Sequence, residues 1–196
     1  MSDQMALEVE SPILEFRGEF EFLSNFYRRP VTDRQGMRYA SAEHAFQASK
    51  TTDPDDKVWI MEADTPGQAK RRGSPNGEGG RKIELRENWD QVRVATMVAV
   101  LRAKFRPGSP LSTKLLATGQ RVLVEGNAWN DTTWGATWRT GTLPVEVPGE
   151  RVWAARGAGE PIGTSWTEPL VGQNLLGRSL MLVRAELDTG MTPRAR

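Results

Sequence analysis

The apolar positions of this chain change period along its length, and each change marks an element. Val94, Met97, Val98, Leu101 and Phe105 recur at three- and four-residue steps, the spacing of one buried helix face. They predict the longest helix, about 88–106, opened by Asn88 and ended by Pro107-Gly108. Leu175, Leu176, Leu180, Met181, Val183 and Leu187 form a second, broader apolar face. It predicts a final helix opened by Asn174. Between residues 41 and 73 the apolar pattern is sparser and the boundaries carry the signal. Ser41, Asp53-Pro54 and Thr65-Pro66 each set a side-chain oxygen ahead of a helical start, in two cases followed by proline at the first position. Three short helices follow: one to about Thr51, one carrying Val58, Trp59 and Met61, and one stopped by Gly73. Ser109-Pro110 opens another, closed by Gly119.

Elsewhere the pattern shortens. Phe16, Phe20, Phe22 and Phe26 fit a strand followed by a packed turn. "RRPVTDRQGMRYA" predicts a hairpin in which Val31 and Met37 flank a turn at "DRQG", with Gly36 free to take positive φ. "RVLVEG" reads as a short strand, and "GSPNGEGG" as a loop. Residues 136–171 hold Trp138, Trp153 and Trp166 among Pro and Gly and show no period, which predicts an irregular inserted loop. The expected fold class is α+β, a mostly helical single domain over 13–188 with a small N-terminal strand and hairpin element. Residues 1–12 and 189–196 are expected to be flexible tails.

Composition narrows the chemistry. The 196 residues carry 26 Lys+Arg against 25 Asp+Glu, a formal net charge of +1, and this argues against an unaided electrostatic grip on nucleic acid. There is no Cys and one His. Disulfides, thiolate nucleophiles, Cys-based zinc sites and two-His metal motifs are therefore excluded. No metal or cofactor is expected. The N-terminal "MSDQMALEVESP" lacks the apolar run of a signal peptide, and no window has the length of a membrane span. The expectation is a cytoplasmic protein with no membrane partner and an open oligomeric state.

Candidate chemistry gathers in a few places. In "YASAEHAFQASK" a helix sets Glu43, Gln47 and Lys50 at i, i+4 and i+7, on one stripe. A carboxylate, an amide and an amine there suit acid–base chemistry, substrate orientation and a nucleophilic amine. The same stripe also describes the solvated side of an ordinary helix, which the pattern alone favours. His44 lies off it and reads as structural. In "VEGNAWNDTTWG", Glu125, Asn127, Asn130 and Asp131 lie between Trp129 and Trp134 and ahead of Gly135. That is one way to wall a pocket for a planar polar ligand, or else a loop whose Asn and Asp satisfy turn amides. "SNF" offers Asn25 and Phe26, and "NWD" offers Trp89.

"FLSNFY", "YASAEHAFQASK", "TPGQAK", "NWDQVR", "LRAKF", "LLATG", "LVEGNAWNDTTWG" and "GQNLLGRSLMLVRAEL" occur in that order from about Leu14 to Leu187. In this the chain resembles the NADAR family, the NAD- and ADP-ribose-associated, YbiA-like proteins. The resemblance implies the YbiA-like fold and an N-glycosidase, a hydrolase of a base–ribose C–N bond. It implies that the substrate is ADP-ribosylated guanine in DNA or, as the alternative, a ribosylamino phosphate intermediate of riboflavin biosynthesis. A binding module that holds ADP-ribose without turnover is the third reading. The extra aromatic segment 136–171, a departure from the family pattern, favours the larger DNA substrate. By motif, Glu43, Lys50 and Asp131 are the implied catalytic residues, with Lys104 the rival amine. Asn25, Phe26, Gln47, Trp89, Lys104, Trp129, Asn130, Trp134, Gly135 and Asn174 are the implied substrate contacts.

Overall fold

The structure, a computed structural model, describes residues 10–138 and 170–190. Tail residues 1–9 and 191–196, and residues 139–169 of the Trp-rich segment with Trp153 and Trp166, lie outside the described residues. Helices and short strands alternate in an α+β arrangement. By contact the chain divides into two compact units. One holds the described residues to Phe16 and Thr118–Arg178; the other holds Arg17–Ala117 and the described residues from Ser179.

The larger unit opens with a 3-10 turn, Gly18–Leu23, that buries Phe22 and Leu23. Strands β1 (Val31–Thr32) and β2 (Arg38–Tyr39) then form the predicted hairpin, antiparallel with Val31 opposite Tyr39. Gly36 takes φ 84° in its turn. The Asp33 carboxylate accepts the amides of Gln35 and Met37 at 2.9 Å and the Tyr39 hydroxyl at 3.1 Å.

Three capped helices follow. In α1 (Ala42–Ala48) the Ser41 side chain accepts the His44 amide. In α2 (Pro54–Met61) Asp53 accepts those of Asp55 and Asp56. In α3 (Pro66–Arg72) Thr65 accepts that of Gln68. Each bond satisfies an amide that has no carbonyl one turn behind it. α4 (Trp89–Lys104) lacks such a cap, because the Asn88 side-chain oxygen Oδ1 accepts from Arg86 Nε at 2.8 Å instead. α5 (Pro110–Leu116) is capped by Ser109. α1 packs against α2, α3 and α4. Leu23, Ile60, Met97, Leu101, Phe105, Leu115, Leu180 and Val183 are essentially inaccessible. Burying a side chain such as Leu101 stabilises the fold by about 1.5–3 kcal/mol. Two expected core positions are corrected: Val58 and Val94 are exposed, because the α2 and α4 faces that pack inward run through Ile60 and through Met97–Leu101.

The smaller unit is built on Ile13, which bridges Leu123 in parallel register. The Ile13 amide donates to Val122 O and its carbonyl accepts from Val124 N, both at 2.8 Å. β3 (Gly126–Asn127) pairs in parallel with β4 (Ala136–Trp138), and β5 (Leu170–Val171) pairs antiparallel with β4. So the strand expected from "RVLVEG" falls at its end. The two margins of the expected 136–171 loop are strands, closed by main-chain bonding that period-free sequence does not announce. Leu14, Val124, Ala136 and Leu170 make the small core. α6 (Leu175–Asp188) begins here. No helix among the described residues is long and apolar enough to cross a membrane.

Candidate functional site

All seven residues of α1 are buried. Glu43 and Gln47 of the stripe are therefore not on the wet side of a helix, and Lys50 beyond its end is half-buried. Glu43 is 5% exposed and Gln47 4%. Gln47 Nε2 donates to Glu43 Oε1 at 2.7 Å, which fixes one lobe of the carboxylate. The Glu43 amide donates to Asn25 O at 3.1 Å, tying the "SNF" loop to the start of the helix. Asn25 Nδ2 reaches Met97 Sδ at 3.3 Å. Two buried carbonyl oxygens in this group, Asn25 Oδ1 and Gln47 Oε1, have no hydrogen-bond partner among the described residues. An unmet buried acceptor costs about 1–3 kcal/mol.

Lys50 lies just past the end of α1. Its Nζ donates to Gly73 O at 2.9 Å. It stands 5.8 Å from the Phe46 ring centre and 6.0 Å from that of Trp89, rings that pack at 5.3 Å. Burial pushes the Lys50 amine down to about 8; the Glu43 carboxylate works against this shift and the Lys70 ammonium adds to it. Below that value the amine is mostly ammonium, and near it a substantial share is free base.

Gly73 completes the group. A Cβ there would lie 2.2 Å from Gln47 Oε1. Its φ of −84° is open to any residue, so room for the Gln47 amide, not backbone freedom, asks for glycine. In the sequence Gly73 reads only as a helix stop. The signal available was a glycine ending a helix on which no positive φ is imposed, and that is visible only in coordinates.

Phe26 is 43% exposed, with Lys70 Nζ 6.0 Å from its ring centre. Lys104, the rival amine, is buried, and its Nζ donates to Ser24 O at 2.7 Å and Leu23 O at 3.4 Å. Those bonds hold the loop that presents Asn25. His44 is 1% exposed. Its Nε2 faces Ala63 O at 3.0 Å and its Nδ1 faces Ser41 Oγ at 2.8 Å. A carbonyl only accepts, so Nε2 carries the proton and Nδ1 accepts from the hydroxyl. Burial, chiefly, holds the ring below the usual histidine range, against the pull of the Ala63 carbonyl. It is a neutral structural group.

The remaining candidates lie in the smaller unit and organise its loop. Asn127 Nδ2 donates to Asp131 O at 2.8 Å, and its Oδ1 accepts the Asp131 amide at 3.0 Å. Asp131 Oδ1 accepts the amides of Thr133 at 3.1 Å and Trp134 at 2.9 Å. Asn130 sits at φ 62°. The carbonyls of Thr133 and Trp134 in turn accept the first amides of α6, those of Leu175 and Leu176. Asn174 bridges the Glu125 amide at 3.0 Å and Leu123 O at 2.9 Å. A Cβ at Gly135 would stand 2.3 Å from Glu125 O. Trp129 is 56% exposed and Trp134 half-buried. Here the turn-amide reading of the Asn and Asp side chains describes the bonds seen.

Among the described residues no group of three or more His, Asp or Glu forms a potential metal site. The profile of the NADAR domain matches residues 15–188. The chain is 38% identical over 112 residues to the N-glycosidase YbiA of Shigella flexneri serotype 5b, covering 57% of this chain and 66% of that protein. It is 31% identical over 167 residues to a riboflavin biosynthesis protein of Vibrio vulnificus, covering 85% of this chain and 35% of that one. These matches span less than two thirds of either relative's own length. The NMR structure of the Escherichia coli protein YbiA superimposes with a TM-score of 0.64 at 27% identity, over 98% of this chain and 95% of that one.

Proposed function

The chain belongs to the NADAR domain family, and on that premise we propose that it is an N-glycosidase that hydrolyses a base–ribose C–N bond at the Glu43–Lys50 cluster. The observation that carries the reading is one buried cluster holding both a carboxylate braced by Gln47 at 2.7 Å and an amine pushed down to about 8. Cleaving this bond builds positive charge at the ribose carbon and negative charge on the departing base. The Glu43 carboxylate faces the first. The free Lys50 amine attacks the ribose carbon as the C–N bond breaks; the base leaves with a proton from water, and the hydroxide so formed takes the surplus proton of the new secondary amine. The sugar–lysine adduct opens to an imine; water adds, releases the sugar and restores the amine. Asn25 Oδ1 and Gln47 Oε1 receive donors of the substrate, and Trp89 supplies a face for stacking.

The finer reading is removal of ADP-ribose from guanine in DNA, supported by the aromatic content of residues 136–171. The second reading, a ribosylamino phosphate of riboflavin biosynthesis, is favoured by the similarity to the Vibrio vulnificus protein over 85% of this chain. The purified protein is to be incubated with each substrate in borohydride and followed by mass spectrometry. The expected result is base release from one substrate and a reduced sugar adduct on Lys50. Glu43→Gln is expected to bind and not hydrolyse. Release without any lysine adduct sinks the nucleophile, and undiminished turnover in Glu43→Gln sinks the carboxylate.

A further inference from the structure

The larger unit holds a cavity of about 640 Å³ that none of Glu43, Gln47 and Lys50 lines. Ala45, Ala48 and Ser49 give it one wall. At 100° per residue these lie about half a turn around α1 from the Glu43–Lys50 stripe, so the cavity is on the reverse of that helix. Its volume is that of a small-molecule site.

The floor is apolar: Val31, Ala48, Val100 and Val183 line it and are buried. The rim is cationic. Arg34, Lys57, Arg86 and Arg106 line it, and among the described residues none of the four enters an ion pair. The cavity's two carboxylates are already engaged. Glu186 pairs with Arg102 at 2.5 and 2.8 Å, and Asp33 is consumed by the hairpin amides and the Tyr39 hydroxyl. Counting all seven charged side chains of the lining, five cations against two carboxylates leave a formal excess of three positive charges. Such a field over an apolar floor selects an anion with an organic body. Three guanidinium groups, each a planar fork of donors, fit phosphate oxygens better than a single carboxylate.

We propose that this cavity is a second ligand site, distinct from the Glu43–Lys50 cluster, for a small organic phosphate of the mononucleotide class. The Arg86 amide donates to Lys50 O at 2.9 Å, so the rim is bonded directly to the residue that bears the low-pKa amine.

Calorimetric titration of the full chain with adenosine monophosphate, adenosine and inorganic phosphate tests it. The monophosphate is expected to bind at least tenfold more tightly than either of the others. Ala99→Trp, from an exposed position on the lining, and the surface pair Arg34→Glu with Arg106→Glu are each expected to weaken it tenfold or more. Glu43→Gln is expected to leave it unchanged. Unliganded melting curves show whether the variants fold, and the charge-reversed pair serves if Ala99→Trp does not. Binding that survives both cavity variants, binding lost in Glu43→Gln, adenosine or phosphate binding as tightly as the monophosphate, or no saturable binding at millimolar concentration would each overturn the proposal.

Discussion

Lys50 meets the cost of its position in protonation. An ammonium buried against Phe46 and Trp89 is disfavoured relative to the unfolded chain, which is why its amine falls from 10.5 to about 8. Between those values the unfolded state binds more protons than the folded one, so the Lys50 contribution to stability rises with pH from about 8 to 10.5 and the full penalty applies below 8. The shift corresponds to roughly 3 kcal/mol. Lys50→Met is therefore expected to be more stable than the parent at pH 7, by an amount reduced by the lost bond to Gly73 O, and to lose the alkaline gain. Urea melts at pH 7 and pH 10 check this; a parent whose stability is flat over that range excludes a depressed amine. Gly73→Ala tests the neighbour. Its methyl would push into the Gln47 amide and release Glu43 from its brace. Turnover is expected to fall about tenfold, equivalent to about 1.4 kcal/mol of barrier, with a stability loss near 1 kcal/mol. Full activity in this variant would show that Gln47 does not orient the carboxylate.

At the scale of elements, local chemistry and tertiary demand separate cleanly. Asp53 receives two amides of α2 at 2.8 and 3.0 Å, so Asp53→Ala is expected to cost about 1 kcal/mol in thermal or chemical melts. The Asp131 turn offers a sharper test. An asparagine can still accept the Thr133 and Trp134 amides through its own oxygen, and an alanine cannot. Asp131→Asn is expected to keep the melting temperature and Asp131→Ala to lower it. If hydrolysis falls in Asp131→Asn while stability holds, the carboxylate acts in chemistry as well as in the turn. Arg102 and Glu186 join α4 to α6 with two bonds. The Arg102 hydrogen bond holds the Glu186 carboxyl below its usual range. Its stabilisation is present above the ordinary carboxylate pKa and is lost as pH falls through the lowered one. Glu186→Gln is expected to flatten the acid limb of the stability curve.

For the whole molecule, what the sequence by itself determined is what depends on neighbours along the chain. Ser41, Asp53, Thr65 and Ser109 each bond an amide two or three residues on, so their helices could be read from order alone. The hairpin turn at Asp33–Gly36 was legible for the same reason. The ordered motifs carried the family, and with it the choice of Glu43 and Lys50. Asn88 shows where this stops: it has the right residue type at the right place, yet Arg86 takes its oxygen. The rest was decided by residues far apart in sequence. Burial of the Glu43 stripe required α2, α3 and α4 to close over α1. The carbonyls that occupy Lys104 lie 80 and 81 residues away, and the Gly73 contact with Gln47 crosses two intervening elements. Period and capping are local and reach a turn or two of chain. Burial, amine pKa and the sharing of a buried donor depend on which surfaces meet, and only the tertiary structure decides that.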